Sequence, residues 1–504
     1  MRSGPRFVGA AAIIAAVSLV AYVGATPQSQ SADIQLQLAD LLFSEGKYQE
    51  SLEAYRNAER SAPPDLLRQA RTGVVVSLLR VAEFEEARQQ AEKLIEANPR
   101  SPEALALYGD ALWASGLFEQ AEAKYRDALA ETPELARGRH GMARSLAARG
   151  QLAEAMNEAQ AALRIAPRDL ELHHTVGAVY ERMHKYDEAA TAYSNYVNLL
   201  PNKEVSAKAS WSRAQIRFLR SFAQRPPFEA DEGSGALVFT VPFKLVNDKI
   251  IIRVKVNGAS PQDFVVDTGS ESTVITRPTA LRLGVLPITQ TLSAGVGDVG
   301  LRGLQLGRVD LLEIDALKLR NVPVLIKNPP LRDAQVREVE SLSPLALGYS
   351  MTVDYKRLEL TLAKHLPDEP ADVELPLRLH RLATVQGTID GKRQANFVID
   401  TGGQVISISQ ATATAVRPVD ASRRIALRVF GTSGWDRDAF LMSGVNLSFE
   451  GIEFKNFSVV VLNLDTPSAL LGFQVGGIVG HKFLSSYRVG IDLERSMLRL
   501  KRAS

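Results

Sequence analysis

The pattern of apolar, small and polar positions divides the chain into two halves of different texture. From about Ser31 to Lys203 it returns every 34 residues: Pro99, Pro133, Pro167 and Pro201, then Gly109, Ala143 and Gly177, then Ala87, Ala121, Ala155 and Ala189. Small residues at fixed places let two antiparallel helices approach closely, and a proline ends each second helix. Gly116 and Gly150 mark turns between paired helices. An opening unit, "ADLLFSEGKYQESLEAYRNAERSAP", fits the template with slightly longer spacing, giving five helical pairs. A capping helix is expected at "SAKASWSRAQIRFLRSF". After the Pro/Gly/acidic stretch "QRPPFEADEGSG", the pattern changes to short β-branched runs broken by turns, which predicts an all-β region.

That β region is itself duplicated. "VKVNGASPQDFVVDTG" matches "GTIDGKRQANFVIDTG", with Asn257-Gly258 and Asp390-Gly391 as type I′ hairpin signals at the same offset. "ALKLRNVPVLI" matches "GIEFKNFSVVV", and "LGYSMTVDYKRLELTL" matches "SSYRVGIDLERSMLRL". Two homologous domains in tandem are predicted, at 239–363 and 375–504, joined by a linker over 364–374. A further linker over 226–238 separates them from a helical region over 31–225.

Each β domain carries one Asp-Thr-Gly, at Asp267 and Asp400, after an apolar run. A carboxylate in a turn after a buried strand is rigidly placed and partly desolvated. Two such carboxylates brought together cannot both ionise cheaply, so they share a proton and one apparent pKa rises. The ionised partner can take a proton from water while the protonated one polarises an amide carbonyl. This chemistry needs two Asp, each domain supplies one, and duplication within one chain predicts a site formed by a single chain.

The 34-residue period resembles the tetratricopeptide repeat (TPR), which implies an all-α solenoid whose concave groove takes a protein or peptide partner. The two β domains resemble the retropepsin-like aspartic proteases, specifically the bacterial relatives of the retroviral enzymes. That resemblance implies two all-β acid-protease domains forming a pseudo-dimer, with Asp267 and Asp400 as the catalytic pair. Thr268 and Thr401 would brace the two turns through hydroxyl hydrogen bonds. Gly269 and Gly402 would allow a tight backbone path, with Ser270 beside the first. Flaps are implied around Gly295 and Gly297 and around Gly434, and Trp435 would cover an apolar side chain of the substrate. The closing motif appears in the second domain as "GIVGHKFL" but departs in the first, "ESLSPLAL", where Leu342 is aligned with Gly480. Gly403 replaces the usual small side chain after the second Asp-Thr-Gly, which would remove a donor to the carboxylate.

Composition narrows the chemistry. The chain has no cysteine, which excludes disulfides, thiol nucleophiles and thiolate metal sites. No HExxH spacing occurs, His173 and His174 point to different helix faces, and His140, His184 and His481 are isolated, so neither metal nor cofactor is expected. With 59 Lys and Arg against 57 Asp and Glu, the net charge of +2 provides no electrostatic case for nucleic acid.

Residues 1–30 carry Arg2 and Arg6 before an uncharged stretch from Phe7 to Ala25, then a polar segment. This predicts export, either by a signal peptide cleaved near Val23-Gly24-Ala25 or by an uncleaved membrane anchor, with the rest in the periplasm or on the extracytoplasmic face of the envelope. The expectation is an exported aspartic endopeptidase whose solenoid recruits protein. On that expectation, deleting 32–225 would leave hydrolysis of a short peptide nearly intact. The alternatives are an inactive peptide-binding module and an envelope assembly factor with purely structural β domains.

Overall fold

The structure, a computed structural model, describes residues 27–231, 237–297, 302–327, 339–417 and 424–502. The basic and apolar N-terminal segment lies outside the described residues, apart from the start of the first helix at Pro27. Among the described residues no helix is long and apolar enough to cross a membrane.

Ten helices, from Pro27–Ser44 to Tyr186–Leu199, pair into five hairpins, and Ala207–Arg220 caps the stack. The turn within each hairpin passes through a left-handed residue: Gly46, Gly116 and Gly150, but Ala82 and His184 in the second and fifth units. His184 is therefore a turn residue. Glycines inside the first helices make room for tyrosines of the second: a Cβ on Gly109 would lie 2.5 Å from the Tyr125 ring, and one on Gly177 would lie 2.7 Å from Tyr193. In these two units the small position of the period seats an aromatic ring, whereas the unit between them has Ala143 and Ala159 at the same two places.

The two β domains repeat one topology. In the first, the strand Gln262–Val266 runs into the Asp-Thr-Gly turn and the chain returns as Thr273–Thr276. The closing strand Glu340–Leu342 slots between them, parallel to the former with Leu342 opposite Val266 and antiparallel to the latter. In the second, Gly477–Val479 fits in the same way between Arg393–Ile399 and Ser407–Ser409, with Val479 opposite Ile399. Asp267 N–H donates to the Leu342 carbonyl at 2.8 Å and Asp400 N–H to that of Val479 at 3.0 Å. The structural equivalent of Leu342 is therefore Val479, and Ser343 stands where Gly480 does. The alignment of Leu342 with Gly480 is off by one residue, because the last residue of the difference in loop length falls after the closing strand, between it and the Tyr349 and Tyr487 pair. The real departure is Gly to Ser at a buried position. A Cβ on Gly480 would lie 2.8 Å from the Gly403 carbonyl carbon.

The domains are fused through a shared sheet. Val373–His380, Met497–Arg502, Tyr487–Asp492, Ser350–Asp354, Glu359–Ala363 and Val238–Pro242 lie side by side in that order. Its seam pairs Met351 with Ile491, Thr352 with Gly490 and Val353 with Val489. One hydrophobic core runs through both domains, including Phe264 and Leu360 from the first and Phe397 and Ile491 from the second. Both predicted linkers carry structure. Glu229–Ala230 pairs with Arg320 and Leu319 of the first domain, and Asp368 and Glu369 are ion-paired to Arg495, Arg499 and Arg488.

The solenoid packs against both domains. At its middle, Leu112, Trp113, Leu117 and Phe118 join one apolar cluster with Val398, Leu471, Phe473 and Val475 of the second domain. Gln474 N–H donates to the Ala114 carbonyl at 2.7 Å, and Arg393 pairs with Glu85 at 2.6 Å. At its C-terminal end, Phe218, Leu219 and Phe222 pack with Leu306 of the first domain. The Arg308 guanidinium stacks 5.5 Å from the Phe222 ring centre and donates to the Ser221 carbonyl.

Candidate active site

The two Asp-Thr-Gly turns meet at the interface of the β domains. Thr268 Oγ1 donates to the Ile399 carbonyl at 2.6 Å, and Thr401 Oγ1 donates to the Val266 carbonyl at 2.8 Å. Each hydroxyl also accepts from the opposite threonine's N–H, at 3.0 Å and 3.2 Å. Both threonines are buried, so the donors and acceptors of each turn are satisfied by the other.

Gly269 and Gly402 both lack the positive φ that would call for glycine. The requirement is steric and comes from across the interface. A Cβ on Gly269 would sit 2.5 Å from Asp400 Cγ, and one on Gly402 would sit 2.7 Å from Asp267 Cγ. Glycine therefore clears the space in which each carboxyl faces the opposite turn, rather than allowing a special backbone path.

The two carboxyls are hydrogen-bonded to each other, and their environments differ. Asp267 Oδ1 accepts from Gly269 N–H at 3.0 Å. Asp400 Oδ1 accepts from two amides, Gly402 at 2.8 Å and Gly403 at 2.9 Å. Ser270 Oγ, at the position equivalent to Gly403, donates to the Ser272 carbonyl instead. Asp400 thus has one more backbone donor than Asp267. Burial and then the neighbouring Asp400 push Asp267 up to about 7. Burial also raises Asp400, opposed by its two amides and by the bond from Asp267. The better-solvated anion is Asp400, so the shared proton rests on Asp267.

Lys249 lowers both values. Ile251 pairs with Val265, and continuing that antiparallel register sets Lys249 opposite Asp267. The same count in the second domain, from Thr384 opposite Val398, sets Leu382 opposite Asp400. Counting back from the hairpin turns would have found this pair in the sequence.

Over the dyad, the segments around Gly295 and Gly434 touch tip to tip. Gly295 N–H donates to Ser433 Oγ at 3.0 Å, and Ser433 N–H donates to the Val296 carbonyl at 2.9 Å. Gly297 has φ +135°, and a Cβ there would meet the Ser433 carbonyl carbon at 2.3 Å. Gly434, at φ +99°, turns the second hairpin. Trp435 and Phe430 pair directly across the two-strand ribbon and so project from the same face, with ring centres 5.2 Å apart. Of this pair, Phe430 lines the cavity that holds the dyad.

Comparison with known proteins agrees with this architecture. An aspartyl protease family model matches residues 252–351, and a gag-polyprotein aspartyl protease model matches 385–475. Tetratricopeptide repeat models match 32–65 and 75–136. No match was found among curated proteins. Among solved structures, the chain is similar to a thermophilic TPR protein of Thermus thermophilus (19% identity, 37% of this chain and 98% of that one, TM-score 0.32). It is also similar to the pilF protein of Pseudomonas aeruginosa (16% identity, 39% and 95%, TM-score 0.28). The MamA protein of Desulfovibrio magneticus is a third (16% identity, 34% and 96%, TM-score 0.25). The chain is a tetratricopeptide-repeat solenoid followed by two domains of the aspartyl-protease family.

Proposed function

We propose that this protein is an aspartic endopeptidase that hydrolyses peptide bonds with water activated between Asp267 and Asp400. The observation that carries the reading is the unequal donor count on two hydrogen-bonded carboxyls: two amides on Asp400, one on Asp267. Asp400, the resident anion, takes a proton from water as the oxygen attacks the carbonyl carbon. Asp267 gives its proton to the carbonyl oxygen, producing a tetrahedral diol. Collapse of the diol returns one of its hydroxyl protons to Asp267, while Asp400 gives the proton it took from water to the leaving nitrogen. The dyad ends in its starting state, and no covalent enzyme intermediate forms. Support for extended peptide as substrate comes from the paired flap segments over a cavity that contains both Asp.

The solenoid is proposed to engage protein, and the basic and apolar N-terminal segment to place the enzyme outside the cytoplasm. The test is hydrolysis of an unstructured protein such as casein by the full chain. Asp267→Asn and Asp400→Asn should each abolish cleavage. Mixing the two variants should restore nothing, because the seam that joins the domains lies within one chain. Unchanged cleavage in either variant would sink the mechanism, and recovery on mixing would show that domains pair between chains.

A further inference from the structure

The cavity that contains Asp267 and Asp400, about 2130 Å³, has two walls of different origin. One is the protease-like pair with its flap segments. The other is the inner face of the solenoid, contributing Arg80, Asp110, His174, Glu181 and Trp211. The concave groove and the cleft are therefore one space.

The solenoid also crosses from one side of that space to the other. Trp113 and Phe118 fix it to the second domain through Phe473, at 5.2 Å between the two Phe rings. Phe222 fixes it to the first domain through Leu306 and Arg308. The flap tips make a second bridge, Gly295 to Ser433. A third links the domains beside the dyad, where Arg381 pairs with Glu271 at 2.8 Å and donates to the Leu470 carbonyl at 2.9 Å. Arg381 is close enough to the solenoid for its charge to act on Glu181 and His174.

The inner wall is internally paired. Arg144 bonds Asp110 at 2.5 Å, Arg80 bonds Glu171, and Glu181 accepts from Tyr193 and Gln215. Between these bonded groups the wall presents aromatic faces: His174 packs among Tyr193, Tyr196 and Trp211. Such a lining suits an extended backbone with varied side chains rather than one particular charged ligand.

We propose that the substrate enters this space end-on, as a single extended polypeptide threaded between the solenoid and the protease-like pair. Loops on folded proteins, and segments with both ends tied into folded domains, are excluded. A cavity of this volume equals a sphere about 8 Å in radius. A folded domain of about 100 residues has a radius of gyration of about 13 Å and cannot enter, whereas a strand advances about 3.3 Å per residue and can. This rests on the peptidase reading and adds a substrate class to it.

The test uses the full chain and one cleavable sequence identified from casein fragments, or a casein segment if no cleavage occurs. That sequence is presented in three forms: free at both ends, fused to a folded domain at one end, and fused at both. The free and singly fused forms should be cleaved within about threefold of each other, and the doubly fused form at least tenfold more slowly. In parallel, fluorescence anisotropy with Asp267→Asn should show the free and singly fused forms binding at least tenfold more tightly than the doubly fused one. Equal cleavage, or equal binding, of all three forms would overturn threading. Absence of hydrolysis with the binding difference intact would overturn the peptidase reading and leave threading standing.

Discussion

Thr268 and Thr401 satisfy each other's turns: the hydroxyl of each donates to the carbonyl two residues before the other, and accepts the other's N–H. Four buried polar groups depend on this pair of hydroxyls, two on each, and the turns they hold carry the two carboxyls. Thr268→Val keeps the shape and removes the hydroxyl, stranding the Ile399 carbonyl and the Thr401 N–H. Each stranded group costs about 1–3 kcal/mol. The variant should lose about 2 kcal/mol or more in denaturant unfolding and at least tenfold in kcat. A variant with wild-type stability would show that the brace contributes nothing to joining the domains.

The dyad makes a signed statement about pH. Asp267 is held up to about 7, so it binds its proton more tightly in the folded state than in the unfolded chain. The corresponding stability is complete below the unfolded-state value of about 3.9 and is lost as pH rises through about 7. Asn at 267 has no proton to lose. Asp267→Asn should therefore match the wild type near pH 4 and exceed it above pH 7, by on the order of 2 kcal/mol. Cleavage by the wild type should follow a bell that falls on the alkaline side over the same range. Denaturant midpoints taken at both pH values check the sign, and a variant less stable at pH 8 than the wild type would refute it.

Much of this architecture is written in local sequence. The 34-residue period is readable because small residues recur where paired helices approach closely, with glycine under a tyrosine ring at Gly109 and Gly177. The dyad was readable because Asp267 and Asp400 sit in duplicated strands with matching turns. The docking of Trp113 and Phe118 on Phe473 was not readable, because apolar residues near a repeat turn look the same whether they fill the solenoid or cover a neighbour. Leu342 was paired with Gly480 because short closing strands carry too little pattern to fix a one-residue register. The flap motif points to Trp435 for the substrate but not to Phe430, its direct partner on the same face of the ribbon, which lines the cavity.

Lys249 and Leu382 occupy equivalent places opposite the two Asp, so Lys249→Leu makes the halves alike at this point. Lys249 lowers the values of both carboxyls, and its removal lets the dyad hold the shared proton to higher pH. The alkaline limb of the pH–rate profile should move up, by less than about one unit because the lysine is only half-buried and partly screened. A limb that moved down would mean that Lys249 acts on the site by some route other than its charge.

Removing the solenoid tests whether the two halves are separable. Read from sequence, the repeats are an arm, and deleting 32–225 leaves peptide hydrolysis nearly intact. The packing argues otherwise. Phe473 is fully buried and Val475 is 3% exposed, both beneath solenoid side chains, and Leu306 is covered by the capping helix. Deletion would uncover all three together with Leu471. Exposing one such side chain costs about 1.5–3 kcal/mol, so the loss is comparable with the whole stability of a domain. The deletion variant should aggregate or unfold at least 10 °C below the full chain, and peptide hydrolysis should fall with the folded fraction. Arg393 would at the same time lose Glu85, its bidentate partner across the junction. A soluble deletion variant with an unchanged melting temperature and full peptide hydrolysis would show that the solenoid is a removable arm, and that its contacts with Phe473 and Leu306 add nothing to the fold.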